Sequence, residues 1–130
     1  LDGLKRTEKM VNNCIVSAGK STKEPKCIIT QIDLTNGEEI AALAQRTLAA
    51  GFNVDILVNN AGIVSGRHFL DIDDGQFQRT IDVNLLAAVR TTRAFLPSMI
   101  ETKRGGDDEQ RHIVTIASIL GKFQFDLLLD

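Results

Sequence analysis

Asn59-Asn60-Ala61-Gly62 follows directly on Asp55-Ile56-Leu57-Val58. The apolar run reads as a buried parallel strand. It breaks where two amides and a glycine can meet a ligand, as the carboxyl edge of an open α/β sheet requires. The alternative is a plain turn at a strand end, because Asn and Gly tolerate left-handed backbone geometry. Asn84 lies three residues after Ile81 and four before Ala88, which points it toward the apolar face of a helix. An unpaired amide there costs about 1–3 kcal/mol, so Asn84 needs a partner, such as a backbone carbonyl. Ser118 ends a third apolar segment at the same sheet edge. No histidine is placed to activate it as a nucleophile, so it reads as a hydrogen-bond donor to a ligand or as a turn serine.

The elements that position these groups alternate. Leu4 to Ala18 has apolar residues partly at helical spacing, and Gly19 through Pro25 ends it. Cys27 to Ile32 is β-branched and apolar enough for a strand, with Asp33 at its carboxyl end. Thr35-Asn36-Gly37-Glu38 sets a hydroxyl three residues before a carboxylate, a capping-box spacing that predicts a helix from Gly37 to Ala50, closed by Gly51. Val54 to Val58 is the next strand, and strand, helix, strand with short links implies a parallel pair with a right-handed crossover. Asp73 or Asp74 caps a long helix to about Lys103, with Phe77, Ile81, Leu85, Ala88, Phe95 and Met99 near one face. His112 to Ala117 is the last strand. The fold class is α/β, an incomplete doubly wound parallel sheet of Rossmann type with three recognisable strands, where the complete fold has six.

Composition narrows the function classes. The 130 residues are 43% hydrophobic, enough for one core, and a net charge of −2 leaves no basic excess for nucleic acid. The longest apolar runs, Leu85 to Val89 among them, are far short of the roughly 20 residues that span a bilayer. Cys14 and Cys27 lack paired zinc spacing, and His68 and His112 stand alone, so no metal site is expected.

In order and spacing, Asp33, Asn59 to Gly62, Asp82-Val83-Asn84 and Ile113 to Ser118 resemble the short-chain dehydrogenases/reductases. Leu57 to Gly66, Thr91 to Met99 and His112 to Ser118 resemble, within that family, the membrane-associated retinol dehydrogenases and 17β-hydroxysteroid dehydrogenases. The resemblance implies an NAD- or NADP-dependent oxidoreductase interconverting an alcohol and a ketone or aldehyde on a retinoid, steroid or similar lipid. It implies that Asn59, Asn60, Ala61 and Gly62 hold the adenosine and ribose side of the cofactor, with Asp33 beside the adenine. Ser118 then bonds the substrate oxygen and Asn84 holds a water in the proton relay. Asp2, read as the end of an upstream strand, bonds the ribose hydroxyls and slightly favours NAD.

The resemblance also implies a glycine-rich phosphate loop before Leu1 and a Tyr-x-x-x-Lys just past residue 130, yet the chain has no tyrosine. Residues 1–130 are therefore expected to be a central fragment, inactive alone, of an enzyme that forms homo-oligomers. Related enzymes suggest the endoplasmic reticulum membrane or lipid droplets. The rival expectation is a catalytically dead short isoform that binds a partner through the long helix.

Overall fold

The computed structural model describes residues 5, 6, 9, 10, 27–101 and 110–118. It divides into two compact units, Leu1–Gln31 and Ile32–Asp130. Residues 5, 6, 9 and 10 are helical, in keeping with the helix expected over Leu4 to Ala18; the rest of that helix, and Asp2, lie outside the described residues.

Helix α1 spans Gly37–Ala49. Its N-cap is Asn36 rather than the Thr35 implied by the capping-box spacing. The Asn36 side-chain oxygen accepts from the N–H groups of Glu38 and Glu39 at 3.0 and 3.3 Å. Its Nδ2 donates to Glu39 Oε1 at 3.1 Å, a side-chain bond that stands in place of a capping box's reciprocal one, since the Asn36 backbone N–H donates to the Asp33 carbonyl at 3.0 Å. Thr35 is occupied elsewhere, because both its N–H and its hydroxyl donate to Asp33 Oδ1. Gly51, at φ 79°, supplies the left-handed turn that ends the helix and donates to the Leu48 carbonyl at 2.9 Å.

The sheet has two parallel strands, β1 (Ile56–Asn59) and β2 (His112–Thr115), with Ile56 opposite His112 and Asn59 opposite Thr115. Bonds from His112 N–H to the Asp55 carbonyl and from Ile116 N–H to the Asn59 carbonyl extend the ladder at both ends. The third expected strand, Cys27 to Ile32, does not form. A strand exists only through hydrogen bonds to a neighbour, and among the described residues β1 and β2 pair with each other alone. Nor is β1 fully buried. Leu57 and Asn59 are half-buried, while Ile56 and Val58, on the other face, are 61% and 53% exposed. Parallel sheets are normally covered on both faces; here the described residues cover one.

A 3₁₀ turn, Phe69–Asp71, leads to α2 (Asp74–Ile81), a π-helical turn (Asp82–Leu86) and α3 (Ala87–Glu101). Asp73 caps α2 by accepting from Gln76 N–H at 2.8 Å. The π turn corrects the apolar face read from the sequence. Its i→i+5 bond, Ala87 N–H to the Asp82 carbonyl, inserts a residue into the helical period. The face therefore advances, so that Leu85 is 56% exposed and Ala87, not Ala88, is buried. Phe77 is also exposed. Past the shift, Phe95 and Met99 pack on Ala44, with Leu43, Val54, Leu57 and Ala94 against them. Burial of side chains such as Phe95 and Met99 is worth about 1.5–3 kcal/mol each, and it fixes α1 and β1 on α3.

Candidate functional site

β1 and β2 end level with each other, so Asn60–Ile63 and Ile116–Ser118 leave the sheet from one carboxyl edge. This brings two of the sequence-predicted groups, the Asn59–Gly62 turn and Ser118, to the same rim of the fold. Ser118 is exposed there, three residues past the end of β2.

The two amides of the turn have different surroundings. Asn59 faces the helix layer, where its Nδ2 donates to Thr92 Oγ1 of α3 at 3.1 Å, while its carbonyl accepts from Ile116 N–H at 2.9 Å. It ties three elements together. Asn59, Asn60 and Ala61 all line a cleft of about 110 Å³ whose other walls include Leu34, Val58, Ala87, Ala88 and Thr91. Small side chains make this recess, and the π turn contributes by bringing Ala87 inward.

Gly62 has a negative φ, since only Gly51 and Gly66 are left-handed among the described residues. A Cβ built on it would sit 3.5 Å from Asn84 Oδ1, an ordinary contact. Neither backbone strain nor crowding from the chain therefore calls for glycine at this position, and left-handed geometry does not explain the turn.

Asn84 is exposed rather than turned into the apolar face, a second consequence of the π turn. Its partner is the backbone of one residue. Oδ1 accepts from Ile63 N–H at 2.7 Å, and Nδ2 donates to the Ile63 carbonyl at 2.8 Å. The amide thus holds the chain immediately after Gly62. Asp82, at the start of the same turn, accepts from Arg90 at 3.2 Å and from Gln78 at 3.2 Å, bracing the irregular helix on both sides.

Asp33 lies next to Leu34 of the cleft. The Thr35 N–H and hydroxyl, at 2.9 and 2.8 Å, hold its carboxyl below the usual carboxylate range. Slight desolvation opposes them and the positive charge of Arg79 adds to them. Two contributors escaped the sequence reading. Thr92 gives no signal beyond a hydroxyl at helical spacing, and Ile63 acts through its backbone, which no side-chain pattern reveals. Among the described residues no cluster of three His, Cys, Asp or Glu could hold a metal ion. No described helix is long and apolar enough to cross a membrane.

Residues 3–128 match the family model described as short chain dehydrogenase. Retinol dehydrogenase 10-B of Danio rerio is 42% identical over 100 residues, covering 77% of this chain and 28% of that protein. Estradiol 17-beta-dehydrogenase 11 of Homo sapiens is 40% identical over 98 residues, covering 75% of this chain and 31% of that protein. The chain thus spans less than a third of these curated relatives. A metagenomic short-chain oxidoreductase solved in complex with NADP aligns at a TM-score of 0.63 and 34% identity, covering 90% of this chain and 48% of that one. With its parallel ladder, its Asn-Asn-Ala-Gly turn and a family match over nearly its whole length, the chain belongs to the short-chain dehydrogenase family.

Proposed function

We propose that residues 1–130 are the central part of an NAD(P)-dependent oxidoreductase interconverting an alcohol and a ketone or aldehyde on a retinoid, steroid or similar lipid. The observation that carries this reading is the shared carboxyl edge, where a small-residue cleft, an unforced glycine and Ser118 meet beside a loop clamped by Asn84. The names of the relatives, a retinol and an estradiol dehydrogenase, support the substrate class. The NADP complex of the structural neighbour supports the cofactor class. Asp2 would favour NAD, since a carboxylate repels a 2′-phosphate.

When bound, the nicotinamide cofactor supplies the hydride acceptor or donor. Asn59, Asn60, Ala61 and Gly62 would border its ribose and adenosine side, with Asp33 beside the adenine; the small side chains of the cleft walls fit a closely approaching group. Asn59 positions this turn through Thr92. Ser118 would donate a hydrogen bond to the substrate oxygen. Asn84, which fixes Ile63, would hold a water of the proton relay. The full protein would act as a homo-oligomer at the endoplasmic reticulum membrane or lipid droplets. None of the 130 residues is a tyrosine, so this polypeptide by itself is expected to lack the proton donor.

The test compares the 130-residue chain with the longer protein that carries this segment, following reduced nicotinamide by absorbance with retinol and steroid panels. The longer protein is expected to turn over and to lose about 10²–10³-fold on Ser118→Ala, as on removal of an oxyanion donor. Turnover insensitive to Ser118→Ala overturns the assignment.

A second reading is favoured by the outward groove on α3 between Arg93, Leu96, Pro97, Ile100 and Glu101, where Ile100 is 70% exposed. In this reading the chain is a catalytically inactive short form that binds a partner through α3. Dimerisation in the absence of measurable NAD(P) binding would favour it.

A further inference from the structure

Two polar side chains of the cleft beside Asn60 and Ala61 have already used their donors. Thr91 lines it, and its hydroxyl proton is spent inside α3, where Oγ1 donates to the Ala87 carbonyl at 2.7 Å. A threonine hydroxyl has one proton and two lone pairs, so what Thr91 still offers is an acceptor. Asn59 lines the same cleft and turns its amide nitrogen to Thr92 Oγ1 at 3.1 Å. Nitrogen and oxygen of one amide point apart, so the end left for a ligand is Oδ1. That oxygen has no partner among the described residues, and, unlike Gln76 Oε1, it is not shielded from solvent. Asn60 is exposed and has no side-chain bond among the described residues, so it can turn either end to a ligand and adds no preference.

Acceptors gathered at one small recess are satisfied together only by a group that brings N–H or O–H bonds, and an acceptor left facing another acceptor is costly. A phosphate oxygen brings lone pairs and negative charge, which this lining disfavours. A neutral group that carries an amino or hydroxyl donor suits it, and the apolar walls at Leu34, Val58, Ala87 and Ala88 suit the faces of a ring. Asp33, adjacent to Leu34, extends the same polarity, because the Thr35 N–H and hydroxyl hold its carboxyl in the ionised, acceptor-only form.

Given the NAD(P) reading above, on which this rests, we infer that the cleft selects the adenosine part of the cofactor through hydrogen-bond acceptors. Thr91 Oγ1 and Asn59 Oδ1 are the specificity-determining atoms, and Thr92 is a positioning residue that keeps the Asn59 oxygen free. The donor they take is either the adenine amino group or a ribose hydroxyl. Thr92 itself touches no ligand; it acts by occupying the Asn59 nitrogen.

Isothermal titration of the longer protein that carries this segment tests this with NADH, with its hypoxanthine analogue, in which a carbonyl replaces the adenine amino group, and with its 2′-deoxyadenosine analogue. At least one analogue is expected to bind about tenfold more weakly than NADH, as when acceptors in a site lose their donor. Weakening of the hypoxanthine form identifies the amino group as that donor, and weakening of the deoxy form identifies the ribose hydroxyl. Thr91→Val, which keeps the shape and removes the acceptor, should narrow the gap between NADH and the weaker analogue. Thr92→Val should narrow it too, and Thr92→Ser should restore it. A role in the fold alone would lower affinity for all the probes together and leave the gap as it was. Circular dichroism checks each fold. If Thr92→Val unfolds, Asn59→Asp stands in: both of its oxygens are acceptors, so the gap should persist, and its loss overturns the role of Oδ1. Equal affinity of the wild-type protein for all the probes, or a gap that survives both valine variants, overturns the inference while leaving the cofactor reading intact. Absence of NADH binding by the longer protein overturns that reading, and the inference with it.

Discussion

The Asn84 side chain brackets a single residue, accepting from Ile63 N–H at 2.7 Å and donating to the Ile63 carbonyl at 2.8 Å across 21 residues of sequence. Asn84→Leu keeps the volume and removes both bonds, leaving the loop after Gly62 attached at one end only. We expect a loss of about 1–3 kcal/mol in denaturant unfolding, together with faster amide exchange at Ile63 than at β1. Unchanged exchange at Ile63 would contradict the clamp.

Asn36→Ala should destabilise the fold by about 1 kcal/mol, because the side chain satisfies the N–H groups of Glu38 and Glu39 and also holds Glu39. Thr35→Ala should leave helix α1 capped, and its effect should appear at Asp33 instead. Equal losses of helicity in the two variants would place the cap at Thr35.

Asp33 titrates below the usual carboxylate range in the folded chain, chiefly through the Thr35 N–H and then the Thr35 hydroxyl. The folded pKa is depressed, so the associated stability is fully present above the unfolded value of about 3.9 and is lost as pH falls through the folded pKa. The group is exposed, so the contribution to stability is small, and the informative measurement is the titration of its carboxyl carbon by NMR. Thr35→Val should raise the midpoint part of the way, because the N–H remains. A midpoint that does not move would remove the hydroxyl as a cause.

Two glycines should respond oppositely. Gly51→Ala forces a side chain into φ 79° and should cost about 1 kcal/mol, although nothing crowds the site. Gly62→Ala meets only an ordinary contact and should leave the melting temperature almost unchanged, while weakening any NAD(P) binding the chain retains. A large drop in melting temperature for Gly62→Ala would mean that the glycine serves the fold.

Local signals carried much of the fold. The capping acids, Gly51 and the Asn-Asn-Ala-Gly break each act over a few residues, and the helices stand close to where those signals put them, whereas the parallel pair expected between Cys27 to Ile32 and Val54 to Val58 does not form and β1 pairs with β2 instead. What escaped was set by partners distant in sequence. Cys27 to Ile32 has strand composition, but composition cannot supply a neighbouring backbone. The π turn at Asp82–Leu86 leaves no mark on a hydrophobic period read at a constant 3.6 residues, so the faces of Leu85, Ala88 and Asn84 were misjudged together. Of the site, Ser118 and the Asn59–Gly62 turn were brought to one edge as their spacing implied, while Thr92 was visible only once α3 lay across β1.

Asn59 joins β1 to β2 through its carbonyl and to α3 through its amide. A residue with that many attachments acts as a rivet rather than a contact point, and this determines how substitutions there are scored. A variant screen that records only product formed would rank Asn59 among the most sensitive positions and credit it with chemistry. The same screen read alongside soluble yield would separate the share of that sensitivity that belongs to assembly from the share that belongs to the cleft Asn59 lines together with Asn60.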